Sequence, residues 1–111
     1  MAKRVLIIDD DSLLARLMVR VLDYPELHVV SVGSLAEART QIARAGLPDV
    51  IVADIHLPNG DGRHLREEFA AVPFVIISGF PQEEPDLAKP FTSHQLRDAI
   101  AARLHLTLGV P

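Results

Sequence analysis

The chain has 111 residues, of which 49% are hydrophobic, and it contains no cysteine. This length suits one domain with a buried core, and the lack of cysteine excludes a disulfide framework and thiol chemistry. The formal net charge is -4 and no basic run occurs, so nucleic acid is not predicted as a direct partner.

The first predicted strand, residues 5–8, is apolar and ends directly at three acids, Asp9, Asp10 and Asp11. This apolar run is too short for a signal-peptide core or a membrane span, which predicts a soluble, cytoplasmic protein with no membrane partner. Acids favour a helix N-terminus. Capping of the first helix is therefore the expected role of Asp11 and an alternative role for Asp9 and Asp10.

The next three elements follow from hydrophobic spacing and from end signals. Apolar residues recur at helical spacing over residues 13–22, which predicts the first helix. Residues 27–32 read as the second strand. Residues 34–37, Ser-Leu-Ala-Glu, form a capping-box pattern that opens the second helix, and Gly46 ends it.

The third predicted strand, residues 50–53, is fully apolar and ends at Asp54. Leu57-Pro58 and Gly60-Asp61-Gly62 follow Asp54 and indicate a tight turn. A short helix is predicted near residues 63–70, with its apolar side chains facing inward.

The fourth predicted strand, residues 74–77, ends at Ser78, and only ten residues separate Ser78 from Lys89. A parallel crossover usually needs a dozen or more residues, and two prolines in this segment oppose a helix. Residues 80–87 are therefore predicted to be irregular and of low local stability. A second capping box at residues 92–95 opens the last helix, and residues 107–111 are predicted to form a frayed tail on a domain spanning 1–106.

Alternating strand and helix patterns predict an α/β fold with a parallel sheet. Because the strands are apolar throughout, both faces of the sheet should be covered. The carboxyl ends of parallel strands form the ligand edge of such a sheet, so several polar side chains should meet there. They are Asp9, Asp10, Asp54, Ser78 and Lys89. This set suits binding of a hard divalent cation and handling of a phosphoryl group.

The motifs also resemble the receiver domain of bacterial two-component response regulators. The resemblance spans about residues 4–104 and is carried by Asp9-Asp10, Asp54 with its Leu-Pro and Gly-Asp-Gly residues, Ser78-Gly79 and Lys89-Pro90-Phe91. It implies a flavodoxin-like, doubly wound, five-stranded parallel sheet in the order 2-1-3-4-5. In this chain the fourth helix is expected to be missing or shortened.

The residues from Val72-Pro73-Phe74 through Ser78-Gly79-Phe80 resemble one receiver subgroup, common in alphaproteobacteria, with a Phe-Ala-Thr-Gly-type motif and a degenerate fourth helix. The family usually places an aromatic switch residue three positions before its lysine. That position holds Asp86 in this sequence, so the usual switch is not expected here.

The resemblance implies that Asp54 accepts a phosphoryl group from a phosphohistidine of a histidine kinase or a histidine phosphotransfer protein. A carboxylate can attack phosphorus and form an acyl phosphate. The implied cofactor is Mg²⁺, with Asp10 and Asp54 as direct ligands, His56 contributing its backbone carbonyl, and Asp9 acting through water.

Lys89 and Ser78 are implied to bind the phosphoryl group, through the ammonium and the hydroxyl respectively. The Lys89-Pro90 bond resembles the cis peptide of the family. His56 and Phe80 lie at positions that the family often uses to set the lifetime of the acyl phosphate. The other four histidines show no metal spacing and are predicted to be surface residues.

The predicted function is a stand-alone receiver domain that catalyses only its own phosphorylation and dephosphorylation. The added charge would change a surface that binds an unknown downstream protein. Two alternatives stay open from the sequence. One is a docking module that does not depend on phosphorylation, and the other is a Mg²⁺-dependent phosphohydrolase with an aspartyl intermediate.

Overall fold

Five parallel strands form the sheet of the computed structural model, which describes residues 1–109. The strands are β1 (Lys3–Ile8), β2 (Leu27–Val32), β3 (Val50–Asp54), β4 (Phe74–Ser78) and β5 (Leu87–Ala88). Their order across the sheet is β2-β1-β3-β4-β5. The flavodoxin-like order predicted from the sequence is therefore confirmed.

Four α-helices occur within residues 1–109 and cover both faces of the sheet. They are α1 (Ser12–Val21), α2 (Leu35–Ala45), α3 (Arg63–Glu68) and α4 (Ser93–Leu104). A single 3₁₀ turn, Pro81–Glu83, stands between β4 and β5. This connection confirms the prediction that the helix usually found there is missing. In the described part of the chain, no helix combines the length and hydrophobicity that a membrane crossing requires.

The sheet separates two hydrophobic cores because successive strand residues point to opposite faces. Ile7 lies in the core that includes Met18 of α1 and Ile100 of α4. Its neighbour Ile8 lies in the other core, with Leu65 of α3. Ile7 and Ile8 are both fully buried, which explains why the strands are apolar at every position.

The helix ends follow the capping signals in the sequence. The Asp11 side chain accepts a hydrogen bond from the Leu14 N–H and caps α1. At α4 the capping box of Thr92 and Gln95 is complete. At α2 the Ser34 side chain accepts from the Glu37 N–H, but the Glu37 carboxylate accepts from the Gly33 N–H, 2.8 Å away. In a complete capping box the Glu37 carboxylate would accept from the Ser34 N–H, so this hydrogen bond is shifted by one residue, to Gly33.

Asp86 compensates for the shortness of β5. β5 pairs with β4 only at Ile77 and Ser78, so other outward backbone groups of β4 need different partners. Asp86 Oδ2 accepts from the Ile76 N–H at 2.8 Å. A side chain therefore replaces a strand neighbour at the position where the family has its aromatic switch residue.

Arg103 completes this arrangement from α4. Its Nε donates to the Phe74 carbonyl oxygen at 3.2 Å, and its Nη2 lies 3.2 Å from Asp86 Oδ1. The segment predicted to be irregular, residues 80–87, contains no α-helix but includes the 3₁₀ turn, and its last residue, Leu87, belongs to β5. Asp86 and Arg103 tie the C-terminal end of the segment to the sheet.

We expect Asp86→Ala to destabilise the domain by about 1–2 kcal/mol, because the Ile76 N–H loses its acceptor and Arg103 loses its partner. Asp86→Asn keeps an acceptor oxygen and should cost less. Urea unfolding of both variants and the wild type measures the difference. Equal midpoints for Asp86→Ala and the wild type would show that Asp86 does not stabilise the edge of β4.

The C-terminal segment packs more closely than the predicted frayed tail. Leu108 is buried and belongs to the core beneath α1 and α4. The chain turns at His105, where the backbone is left-handed, and this turn returns it towards the sheet. The Gly109 backbone lies so close to the Tyr24 ring that a Cβ atom would collide with it. Residues 110 and 111 of the expected tail lie outside the described residues.

Candidate functional site

Three carboxylates meet at the carboxyl edge of the sheet. Asp54 ends β3, and Asp9 and Asp10 follow β1, which pairs with β3 through Ile8 and Ala53. One oxygen of each carboxylate lies within 4.8 Å of the others. Asp9 and Asp54 are buried, whereas Asp10 is exposed. The sheet thus brings together the three acids that the sequence placed at strand ends.

Lys89 enters this acidic cluster from the end of β5. Its Nζ lies 2.6 Å from Asp54 Oδ2 and 3.3 Å from Asp9 Oδ2. The Lys89 backbone N–H donates to the Ser78 carbonyl oxygen at 2.9 Å, which fixes the lysine beside β4. The Lys89-Pro90 bond is cis. Burial lowers the pKa of Lys89, but its contacts with Asp54 and Asp9 outweigh burial, and the pKa lies above its ordinary value.

Asp9 is the most constrained of the three acids. Its Oδ1 accepts from the Asp11 N–H at 2.9 Å. Its Oδ2 is buried and accepts no hydrogen bond from residues 1–109, although it forms the ion pair with Lys89. Burial raises the pKa of Asp9, and the opposing effects of the Asp11 N–H and of Lys89 do not fully offset it. Because this buried oxygen already pairs with the Lys89 ammonium, its position is one that favours a positive charge.

The three carboxylates fit a hard divalent cation. Mg²⁺ prefers oxygen ligands and usually keeps several waters, and the exposed Asp10 leaves the cluster open to solvent on one side. The His56 backbone lies next to the cluster, because its N–H donates to Asp54 Oδ1 at 2.9 Å. Asp9, Asp10, Asp54 and the backbone of His56 are therefore the groups that could hold the ion.

Gly62 lets the loop after β3 fold closely under Asp54. A Cβ atom at Gly62 would collide with the Asp54 carbonyl oxygen. The backbone of Gly62 is right-handed helical, so the need for glycine here comes from space and not from conformation. Leu57 and Gly60 close the turn between them with two backbone hydrogen bonds of 3.1 and 3.3 Å.

Ser78 lies at the end of β4 and is fully buried. Its hydroxyl donates to the Glu83 carboxylate in a short hydrogen bond and accepts from the Phe80 N–H at 2.9 Å. Glu83 Oε1 also lies 2.9 Å from His56 Nε2. The hydrogen bond from Ser78 and then the contact with His56 lower the pKa of Glu83.

Sequence reasoning did not identify Glu83 as a site residue. The only signal was an acid five positions after Ser78 in a segment too short for a helix. His56 and Phe80 do meet, with ring centroids 5.0 Å apart in an edge-to-face arrangement. The other four histidines are exposed.

An apolar surface adjoins the acidic cluster. Leu13 and Leu17 of α1 are 61% and 48% exposed. They line a shallow depression together with Pro90 and Phe91, and Lys89 forms part of its wall. Large exposed apolar side chains beside a polar site are typical of a surface that contacts another macromolecule.

The fold and this edge define the class of the protein. It is a doubly wound α/β domain with the flavodoxin-like strand order, and its ligand edge combines an acidic cluster with a lysine. A family model described as the response regulator receiver domain matches residues 5–101. The chain belongs to this family. The subgroup with the degenerate fourth helix stays a prediction.

Two bacterial regulatory proteins are similar to this chain in sequence. The chain is 30% identical to the regulatory protein VirG of Agrobacterium tumefaciens, over 97% of this chain and 44% of VirG. It is 29% identical to the KDP operon transcriptional regulatory protein KdpE of Escherichia coli, over 96% of this chain and 54% of KdpE. The chain spans about half the length of these curated relatives, or less.

Solved structures agree with this assignment. The response regulator PhyR from Brucella abortus superposes with a TM-score of 0.80 at 25% identity, over 95% of this chain and 49% of PhyR. A putative response regulator from Chloroflexus aurantiacus also gives a TM-score of 0.80, at 26% identity, over 95% of this chain and 99% of that one.

Proposed function

We propose that this receiver domain accepts a phosphoryl group on Asp54 from a phosphohistidine, with Mg²⁺ as the cofactor. The observation that carries the proposal is the position of the Asp54 carboxylate. It is buried at a strand end, lies 2.6 Å from Lys89 Nζ, and stands within an acidic cluster that is open to solvent at Asp10.

In the proposed step an Asp54 carboxylate oxygen forms a bond to phosphorus while the P–N bond to the donor imidazole breaks. The imidazole nitrogen keeps the electron pair and takes up a proton. Bound Mg²⁺ would neutralise the carboxylates and attract the phosphoryl oxygens. The His56 N–H orients Asp54 through Oδ1. The Lys89 ammonium lies where it can pair with the added phosphoryl charge.

A protein donor is supported by the apolar surface beside the site. A phosphohistidine must reach Asp54 at the carboxyl edge of the sheet, and the exposed Leu13 and Leu17 lie next to that edge with the half-buried Phe91. A histidine kinase or a histidine phosphotransfer protein would bury this surface as it approaches. The domain would catalyse only its own phosphorylation and dephosphorylation.

The phosphorylated side chain would carry a charge of roughly -1.5 to -2 in place of the single charge of the carboxylate. This charge would then change the surface offered to a downstream protein. The irregular residues 80–86 adjoin the site through Ser78 and Glu83, so they would respond first.

A small phosphodonor tests the proposed function directly. Incubation with acetyl phosphate and Mg²⁺ should add one phosphoryl group per chain, measured by intact mass, and hydroxylamine should remove it because acyl phosphates are labile. Omission of Mg²⁺ should suppress the reaction. A chain that gains no mass in repeated trials with Mg²⁺ would favour a docking module instead. Sustained release of phosphate from small esters would favour a phosphohydrolase.

We expect Asp10→Asn to weaken Mg²⁺ binding roughly tenfold or more, because the variant loses a charged oxygen at the metal cluster. A Mg²⁺ titration followed by amide chemical shifts measures the effect. Asp11→Asn is the matched control, because it removes the same charge from the same loop. The Asp11 side chain caps α1 and is not part of the acidic cluster. Equal affinities for the two variants would contradict a metal role for Asp10.

A further inference from the structure

The hydroxyl of Ser78 is already occupied by a group of the protein itself. A serine hydroxyl has one proton to donate. In this structure that proton is donated to the Glu83 carboxylate, and the hydroxyl oxygen accepts from the Phe80 N–H. Ser78 therefore cannot donate to a phosphoryl oxygen while Glu83 is in place.

Glu83 is held from a second side by His56. The same oxygen, Oε1, that accepts from Ser78 lies 2.9 Å from His56 Nε2. The His56 backbone in turn donates to Asp54. The Glu83 side chain is mostly buried, with 21% of its surface exposed. One carboxylate thus bridges the end of β4 and the loop that follows the proposed phosphorylation site.

We propose that Glu83 is an internal substitute for the phosphoryl group, which holds the Ser78 hydroxyl at rest and is displaced when Asp54 is phosphorylated. This inference rests on the proposed function. A phosphoryl group is an oxygen-rich anion that accepts hydrogen bonds strongly, as the carboxylate does more weakly. The two anions compete for one proton, and they repel each other at short range.

Displacement of Glu83 would release the 3₁₀ turn Pro81–Glu83. Within the turn, the backbone hydrogen bonds from Glu83 and Glu84 reach only to Phe80 and Pro81. The Glu83 side chain ties the turn to β4 and to the loop after β3, whereas Phe80 is held separately by its N–H bond to Ser78 and by its ring contact with His56. Its release would free residues 81–84, while Asp86 stays bound to the Ile76 N–H at the edge of β4. The segment that replaces the missing helix would then become the surface that contacts the downstream protein.

The decisive measurement is the affinity for beryllofluoride with Mg²⁺, a mimic of the phosphoryl group, in four proteins. They are the wild type, Glu83→Ala, Glu83→Gln and Glu84→Ala. Loss of the competing anion should make Glu83→Ala bind about tenfold more tightly than the wild type, because one charged hydrogen bond no longer has to be broken. Glu83→Gln keeps an acceptor without the charge and should lie between the two. Glu84→Ala removes the neighbouring exposed acid and should match the wild type.

Two further measurements separate competition from a general loosening of the fold. In a Ser78→Ala background, removal of Glu83 should raise the affinity much less than in the wild type, because the contested proton is gone and only the repulsion between the two anions is relieved. Amide exchange at residues 82–84 of resting Glu83→Ala should be as fast as in the wild type bound to beryllofluoride.

The outcomes distinguish the two proposals. A wild type that does not bind beryllofluoride with Mg²⁺ would overturn the proposed function itself. A wild type that binds, with Glu83→Ala binding no more tightly than Glu84→Ala, would overturn the competition alone. Weaker binding by Glu83→Ala would also overturn it, since Glu83 would then assist the anion.

Discussion

Asp54→Asn is expected to take up no phosphoryl group from a donor that labels the wild-type chain. An amide oxygen carries no charge to direct at phosphorus and cannot form a stable acyl phosphate. The substitution changes shape little, so Lys89 Nζ can still contact the side-chain oxygen and Asp9 Oδ2. Circular dichroism should therefore show a folded protein, and loss of label would report chemistry and not unfolding.

The matched control for this prediction is Asp61→Asn. Asp61 lies in the same loop, but its carboxylate binds the guanidinium of Arg63, with a shortest contact of 2.6 Å. The hydrogen bonds from Arg63 lower the pKa of Asp61, which marks a structural ion pair. Asp61→Asn should label normally. Equal labelling of Asp54→Asn and the wild type would refute Asp54 as the acceptor.

Lys89→Ala is expected to separate phosphorylation from the structural response. The Asp54 carboxylate and the metal ligands remain, so acetyl phosphate should still label the variant, more slowly. Without the ammonium, however, no cation on β5 pairs with the phosphoryl group, and its charge is not drawn towards β5 and Ser78. Amide exchange at residues 80–86 should therefore be the same with and without beryllofluoride. A response as large as in the wild type would show that the lysine does not couple the two events.

Lys89→Ala should also lower stability without metal by about 1–3 kcal/mol, since Asp9 and Asp54 lose their shared counter-charge in a buried place. Mg²⁺ should restore part of this loss. Because the pKa of Lys89 is raised, its contribution is complete at neutral pH and falls only as the pH rises beyond the ordinary lysine value of 10.5. Lys3→Ala, which removes an exposed lysine on β1, should leave the unfolding midpoint unchanged.

Four strands could be predicted closely because local residues alone mark them. β5 was expected only from the resemblance, and its first residue, Leu87, fell within the segment predicted to be irregular. β2 has the bounds 27–32 that its apolar run indicated. β3 and β4 extend only one residue further than predicted, through Asp54 and Ser78. Strand order followed from the resemblance, and the meeting of Asp9, Asp10 and Asp54 followed from the shared carboxyl edge of a parallel sheet.

What could not be predicted depends on the path of irregular backbone. The bond between Ser78 and Glu83 exists because a 3₁₀ turn folds the chain back on β4, and no periodic pattern encodes that turn. The burial of Leu108 depends on the left-handed residue His105. In both cases the decisive contact is set by tertiary packing, which residue type and spacing do not report.

The side chains that cover β4 also protect the protein from unwanted association. An unpaired strand edge is a template for a strand of another molecule, and a crossover as short as this one leaves part of β4 beyond the reach of β5. Asp86 and Arg103 occupy the outward N–H of Ile76 and the outward carbonyl of Phe74. Both carry charge, which further disfavours edge-to-edge pairing. The chain has thus lost a helix from its crossover without exposing these groups of the sheet to aggregation.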